Sequence, residues 1–130
     1  NLVVAAPRRE VRHKISKYVT SGRDDYFPRQ RLWEIHYLDI ARKKGCVAFW
    51  LPEEIEHNCD KSYGAMTIEE LGQFMIHYLY DKSTRVCVGS DGKFSELNIL
   101  RYDLSIYAPD KKIISTLEET CEDAIRIALE

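Results

Sequence analysis

No stretch of this chain approaches the roughly 20 consecutive apolar residues that a membrane-spanning helix needs, and its first residues lack the basic-then-apolar layout of a secretory leader. Both absences make a soluble, cytoplasmic protein the expectation, with no membrane partner. Strong charge of either sign is also missing. A net charge of -2 offers no clustered positive face for nucleic acid. The one basic run, "PRREVRHK" from Pro7 to Lys14, reads as solvated surface or as an anion contact. There is no CxxC spacing among Cys46, Cys59, Cys87 and Cys121, and three of these four fall in apolar segments, so buried free thiols are expected. The histidines, His13, His36, His57 and His77, are scattered. His57 and Cys59 share a loop, but two donors do not make a zinc site. Internal repeats, low-complexity tracts and linkers are absent. With 130 residues, 45% of them hydrophobic and 31% charged, the expectation is a single globular domain over 1–130 with a core of its own.

What is present is an alternation of short apolar runs and helical patterns. "LVVA" (Leu2 to Ala5), "CVAFWL" (Cys46 to Leu51), "VCVG" (Val86 to Gly89) and "LSIYA" (Leu104 to Ala108) are uninterrupted and rich in β-branched or aromatic residues, which predicts strands covered on both faces. Between them, Pro28 to Lys44 carries an apolar stripe through Leu32, Ile35, Leu38 and Ala41, closes on basic residues and stops at Gly45. Thr67 to Tyr80 repeats Ile68, Leu71, Met75 and Leu79 at helical spacing. A last helix near Thr116 to Leu129 places Leu117, Cys121, Ala124, Ile125 and Ala128 on one side, with Ser115 and Glu118 as capping candidates. Strands alternating with helices predict an α/β fold with a mainly parallel sheet. The sequence opens almost directly on an apolar run, so the first βα unit is expected to be missing.

In such a sheet the loops leaving the carboxyl ends of the strands line the crevice where ligands bind. Those loops contain Arg8 and Arg9, then "SGRDDYFPRQ" with Asp24 and Asp25, then Glu53 and Glu54 leading to "SYGAM", then "SDGKF". Gln30, Trp33, Glu69 and Glu70 lie on helices that begin at the same edge. Glu70 has two readings. Thr67-x-x-Glu70 has the form of a capping box that finishes the helix. A carboxylate in the first helical turn is also held ionised by the helix dipole, which suits a nucleophile. Trp33 reads either as core or as a platform for a flat ligand, Arg8 as a salt-bridge partner or an anion fork, and each loop acid as solvated or catalytic.

Taken in order, "AAPRRE", "FPRQRLWEIHYLDIARKKGCVAFWLPEE", "MTIEELGQF" and "RVCVGSDGKF" resemble the nucleoside 2-deoxyribosyltransferase-like proteins, over most of residues 3 to 95. The ordered set of "QRLWE", "FWLPEE" and "TIEELG" carries the resemblance. It implies a Rossmann-like, flavodoxin-like domain that cleaves or transfers at the N-glycosidic bond of a nucleoside or nucleotide, with no metal or organic cofactor. The family's glutamate nucleophile maps onto Glu70, followed by Leu71 and Gly72, and Gly72 would let a sugar or neighbouring backbone approach closely. A carboxylate there can trap an oxocarbenium-like centre as a glycosyl ester. Arg8, Asp24, Asp25, Trp33 and Glu53 would contact substrate, and one of Asp24, Asp25, Glu53 and Glu54 would protonate or hold the leaving base. The resemblance also implies a homo-oligomer that completes its sites across subunits. Ala6 stands where relatives often carry asparagine, and the match loosens from about Asn98 onward. A non-catalytic nucleotide-binding, sensing or interaction domain on the same fold is the alternative.

Overall fold

The computed structural model describes residues 3–5, 23–57, 59–60 and 62–130. The chain falls into two compact units, Asn1–Ile40 and Ala41–Glu130. In chain order the elements are α1 (Arg23–Lys44), β1 (Val47–Leu51), α2 (Ala65–Tyr80), β2 (Val86–Ser90), α3 (Leu97–Tyr107), β3 (Ile113–Ile114) and α4 (Leu117–Leu129). The expected fold class holds at this level: an α/β protein with a small parallel sheet flanked by helices.

The first unit contributes most of α1. Its expected apolar stripe is half open: Leu32 and Ile35 are exposed while Leu38 is half-buried, and off the stripe Ile40, Trp33 and Tyr37 are exposed, the last two, one helical turn from each other, with ring centroids 4.7 Å apart in a tilted pair. Residues 3–5 belong to no strand, and Val3 and Val4 are exposed, so a strand over Leu2 to Ala5 is not formed by the residues described. A four-residue apolar run without flanking turn signals specifies a strand poorly.

The second unit opens where α1 ends. Arg42, Lys43 and Lys44 close its last turn, as expected, and the Gly45 amide donates to the Ala41 carbonyl at 2.8 Å. The sheet order is β1-β2-β3, all parallel, with Val47 opposite Val86 and Val88 opposite Ile113. β2 is central and buried at every position, which accounts for its uninterrupted apolar run. Among the described residues β1 lies at the edge, and it alternates: Val47, Phe49 and Leu51 are buried while Ala48 is exposed. On the face carrying Val86 and Val88, α2 and α3 supply Leu71, Phe74, Met75, Leu100 and Leu104; Phe49 and Phe74 meet at 5.6 Å. α4 covers the other face, where Thr120 rests on Gly89.

Three expectations are corrected. "LSIYA" is the end of α3, because Leu97, Leu100, Leu104 and Ala108 recur at spacings of three and four and form one buried helical face, leaving Tyr102 and Ile106 outside. The fourth apolar run is therefore replaced in the sheet by the two-residue β3. In α4 the buried residues are Thr120 and Ile127, whereas Leu117, Cys121 and Ile125 are exposed. The notch at Gly89 selects that face: a Cβ there would sit 2.0 Å from Thr120 Oγ1, so only glycine lets the helix approach so closely. The cap of α4 is Thr116, whose side chain accepts from the Glu119 amide at 3.2 Å, one residue beyond the Ser115 and Glu118 pair.

Candidate functional site

The carboxyl ends of β1 and β2 are stitched together by side chains from their own loops. Ser90 Oγ donates to the Leu51 carbonyl at 2.6 Å and accepts from the Gly92 amide at 3.1 Å. Asp91 accepts from two amides, Glu53 N and Lys93 N, each at 2.9 Å. The Glu53 amide and then the Lys93 amide hold the Asp91 carboxyl below the usual carboxylate range. Lys93 Nζ lies 3.6 Å from Glu53 Oε2, an exposed pair that places charge at the edge and adds little to stability. Gly92, at φ +85, makes the turn that folds this loop back.

The start of α2 is fastened to the same edge. Tyr63 donates its hydroxyl to the Pro52 carbonyl at 3.1 Å, with the Glu53 carbonyl at 3.3 Å, and its ring lies 5.8 Å from that of Phe94. Gly64 caps the helix in the left-handed region (φ +69) with no side-chain cap, and the Ile68 amide donates to its carbonyl at 2.9 Å. The capping-box reading of Thr67 and Glu70 is thereby overturned. The helix begins at Ala65, two residues earlier, because glycine supplies the turn that a threonine cap was expected to make. Glu69 and Glu70 consequently lie in the second turn, beyond the first-turn amides where the dipole argument applies.

Glu69 is exposed and Glu70 half-buried, flanking the buried positions Leu71 and Phe74. Glu70 follows Gly64 by six residues, about 9 Å along the axis at ~1.5 Å per residue. Its Cα–Cβ bond tilts back along the axis toward the helix start, as in any α-helix. At Gly72 an added Cβ would meet nothing within 4 Å among the described residues. Two positions apart on a helix do not share a face, so the space at Gly72 lies on the other flank from Glu70.

Of the residues singled out in the sequence, Glu53 joins the stitched edge, and Glu70 and Gly72 lie on the helix that starts there. Glu54 turns along its own loop, with Oε1 3.3 Å from His57 Nδ1. Trp33 packs on Tyr37 within the first unit. Asp24 and Asp25 fall in the first turn of α1, and their side chains, like the whole of Arg8, lie outside the described residues. Ser90, Asp91 and Tyr63 were given no role from the sequence; the signal for Asp91 was an Asp-Gly pair straight after a buried strand. Among the described residues no group of three or more His, Cys, Asp or Glu side chains is arranged to hold a metal, and no helix is long and apolar enough to cross a membrane.

A small cavity beneath α2 and α3, lined by Leu71, Phe74, Met75, Val88 and Leu104, is a packing space on the apolar face, not part of this edge. No family model, curated protein or solved structure matches the chain.

Proposed function

We propose that the chain is a Rossmann-like, flavodoxin-like domain that cleaves or transfers at the N-glycosidic bond of a deoxynucleoside or its monophosphate, with Glu70 as the nucleophile. The observation that carries this reading is the placement of the "TIEELG" segment. The helix bearing it starts at the carboxyl edge of β1, anchored there by Tyr63, which is where ligands bind in open parallel sheets. The half-buried Glu70 carboxylate attacks the anomeric carbon and forms a glycosyl ester; water or a second base then releases the sugar. Glu53 and Lys93, both accessible beside the strand end, supply a carboxylate and an ammonium group for sugar hydroxyls or for the leaving base. Asp91 spends its acceptor capacity on two amides and acts as a positioning residue for Glu53.

Glu70→Gln tests the reading. The amide is nearly isosteric but cannot form the ester. Wild-type chain incubated with the common deoxynucleosides and their monophosphates should release free base, measured chromatographically, and the variant should lose that release by about 1000-fold or more with little change in melting temperature. Binding of a nucleoside without base release by the wild-type chain would instead establish a non-catalytic binding domain.

A further inference from the structure

The amino ends of the strands, at the opposite edge from the proposed site, hold two cysteines whose sulfurs lie 3.8 Å apart, Cys46 and Cys87. Because Val47 is opposite Val86, Cys46 falls opposite Arg85 and two positions short of Cys87, and the two-residue period keeps both side chains on the face covered by α4. Their burial differs: Cys87 is 3% exposed on the central strand, while Cys46 is partly exposed between Gly45 and the first residue of β1. Each sulfur also lies 3.7 Å from a carbonyl oxygen, Cys46 from that of Val47 and Cys87 from that of Thr120. We propose that Cys46 and Cys87 form a peroxide-oxidisable dithiol, in which the accessible Cys46 is the attacking thiol and the buried Cys87 the resolving one.

The electrostatics run the same way. The Cys87 hydrogen bond lowers the Cys46 thiol below its ordinary value against the cost of burial, with Lys111 assisting and Asp123 opposing. The same hydrogen bond, then burial, keeps Cys87 protonated. In the first step the Cys46 thiolate attacks one oxygen of hydrogen peroxide. An S–O bond forms, the O–O bond breaks, and the departing hydroxide takes up a proton as water; sulfur is oxidised by two electrons and the peroxide reduced by two. In the second, Cys87 gives up its proton and attacks the Cys46 sulfur, forming the S–S bond while the sulfenic oxygen leaves as a second water. The sulfurs must close by about 1.8 Å to reach a bonding distance of ~2.05 Å. That closure is assigned to Cys46, which precedes the first ladder residue of β1. The other two thiols, Cys59 and Cys121, are more exposed but have no sulfur partner among the described residues, which makes them internal controls.

The full chain is treated with hydrogen peroxide, alkylated under denaturing conditions and mapped by peptide mass spectrometry. The expected result is a Cys46–Cys87 cross-linked peptide, lighter by two hydrogens and reversed by a dithiol reductant, forming at least about tenfold faster than oxidation of Cys59 or Cys121. In Cys87→Ser, Cys46 should instead be caught by a sulfenic-acid reagent. Recovery of Cys46 and Cys87 as alkylated thiols while Cys59 or Cys121 oxidises would overturn the proposal, and that outcome is read on the wild-type chain alone.

Discussion

Asp91 bridges two loops with one carboxylate, and its behaviour with pH follows from that. Its folded value lies below its unfolded one, so the bridge stabilises the fold above the ordinary carboxylate range and is lost as pH falls through the lowered value. Asp91→Ala should accelerate hydrogen exchange of the Glu53 and Lys93 amides at neutral pH; unchanged exchange would show that the bridge does not form in solution. Tyr78 is the opposite case. Burial, then its hydrogen bond to the Asp110 carboxylate, pushes the phenol up to about 12. A raised value means that the contribution is complete below the unfolded value near 10 and disappears as pH climbs through about 12. A spectroscopic titration should therefore show a tyrosine ionising near 12 that is absent in Tyr78→Phe. Neither residue stood out in the sequence, because the first cause of each shift is a partner or packing supplied from far along the chain, the Glu53 amide for Asp91 and burial with Asp110 for Tyr78.

Among the elements, α4 is the one whose placement is most exposed to a single change. Gly89→Ala sets a methyl group against Thr120 Oγ1 and should destabilise by roughly 1–3 kcal/mol, the usual range for overpacking, with a smaller loss in a Thr120→Ala background. Thr116→Ala removes the cap of the same helix and should cost about 1 kcal/mol. Denaturant melts of the four variants decide both; strict additivity at Gly89 and Thr120 would contradict the packing. The same helix shows what the sequence disclosed. Its existence and length were legible from apolar spacing, but its buried face was not, since a threonine seated on a glycine outcompetes the more hydrophobic flank. β1 and β2 were legible as apolar runs, and α2 as a helical repeat. The left-handed Gly64 start of α2 was missed because Thr67-x-x-Glu70 offered a second, well-formed cap. "LSIYA" was misread because a short apolar run fits either element, and only its continuity with Leu97 and Leu100 settles the matter.

At the scale of the molecule, the described core belongs to the second unit, from Val47 to Ile127. Central β2, buried throughout, should hold the slowest-exchanging amides, with β1, the edge strand among the described residues, faster; a hydrogen-exchange profile with β1 slower than β2 would contradict the sheet order. The proposed function rests on the opposite arrangement, an accessible edge where β1, β2 and the start of α2 are tied together, with Glu70 in the second turn of that helix. The most direct measurement is mass spectrometry of the chain after brief incubation with mixed deoxynucleosides. A deoxyribosyl adduct on the peptide containing Glu70, absent from Glu70→Gln, is the predicted result. Base release that proceeds undiminished in Glu70→Gln, or an adduct on a different carboxylate, would contradict it.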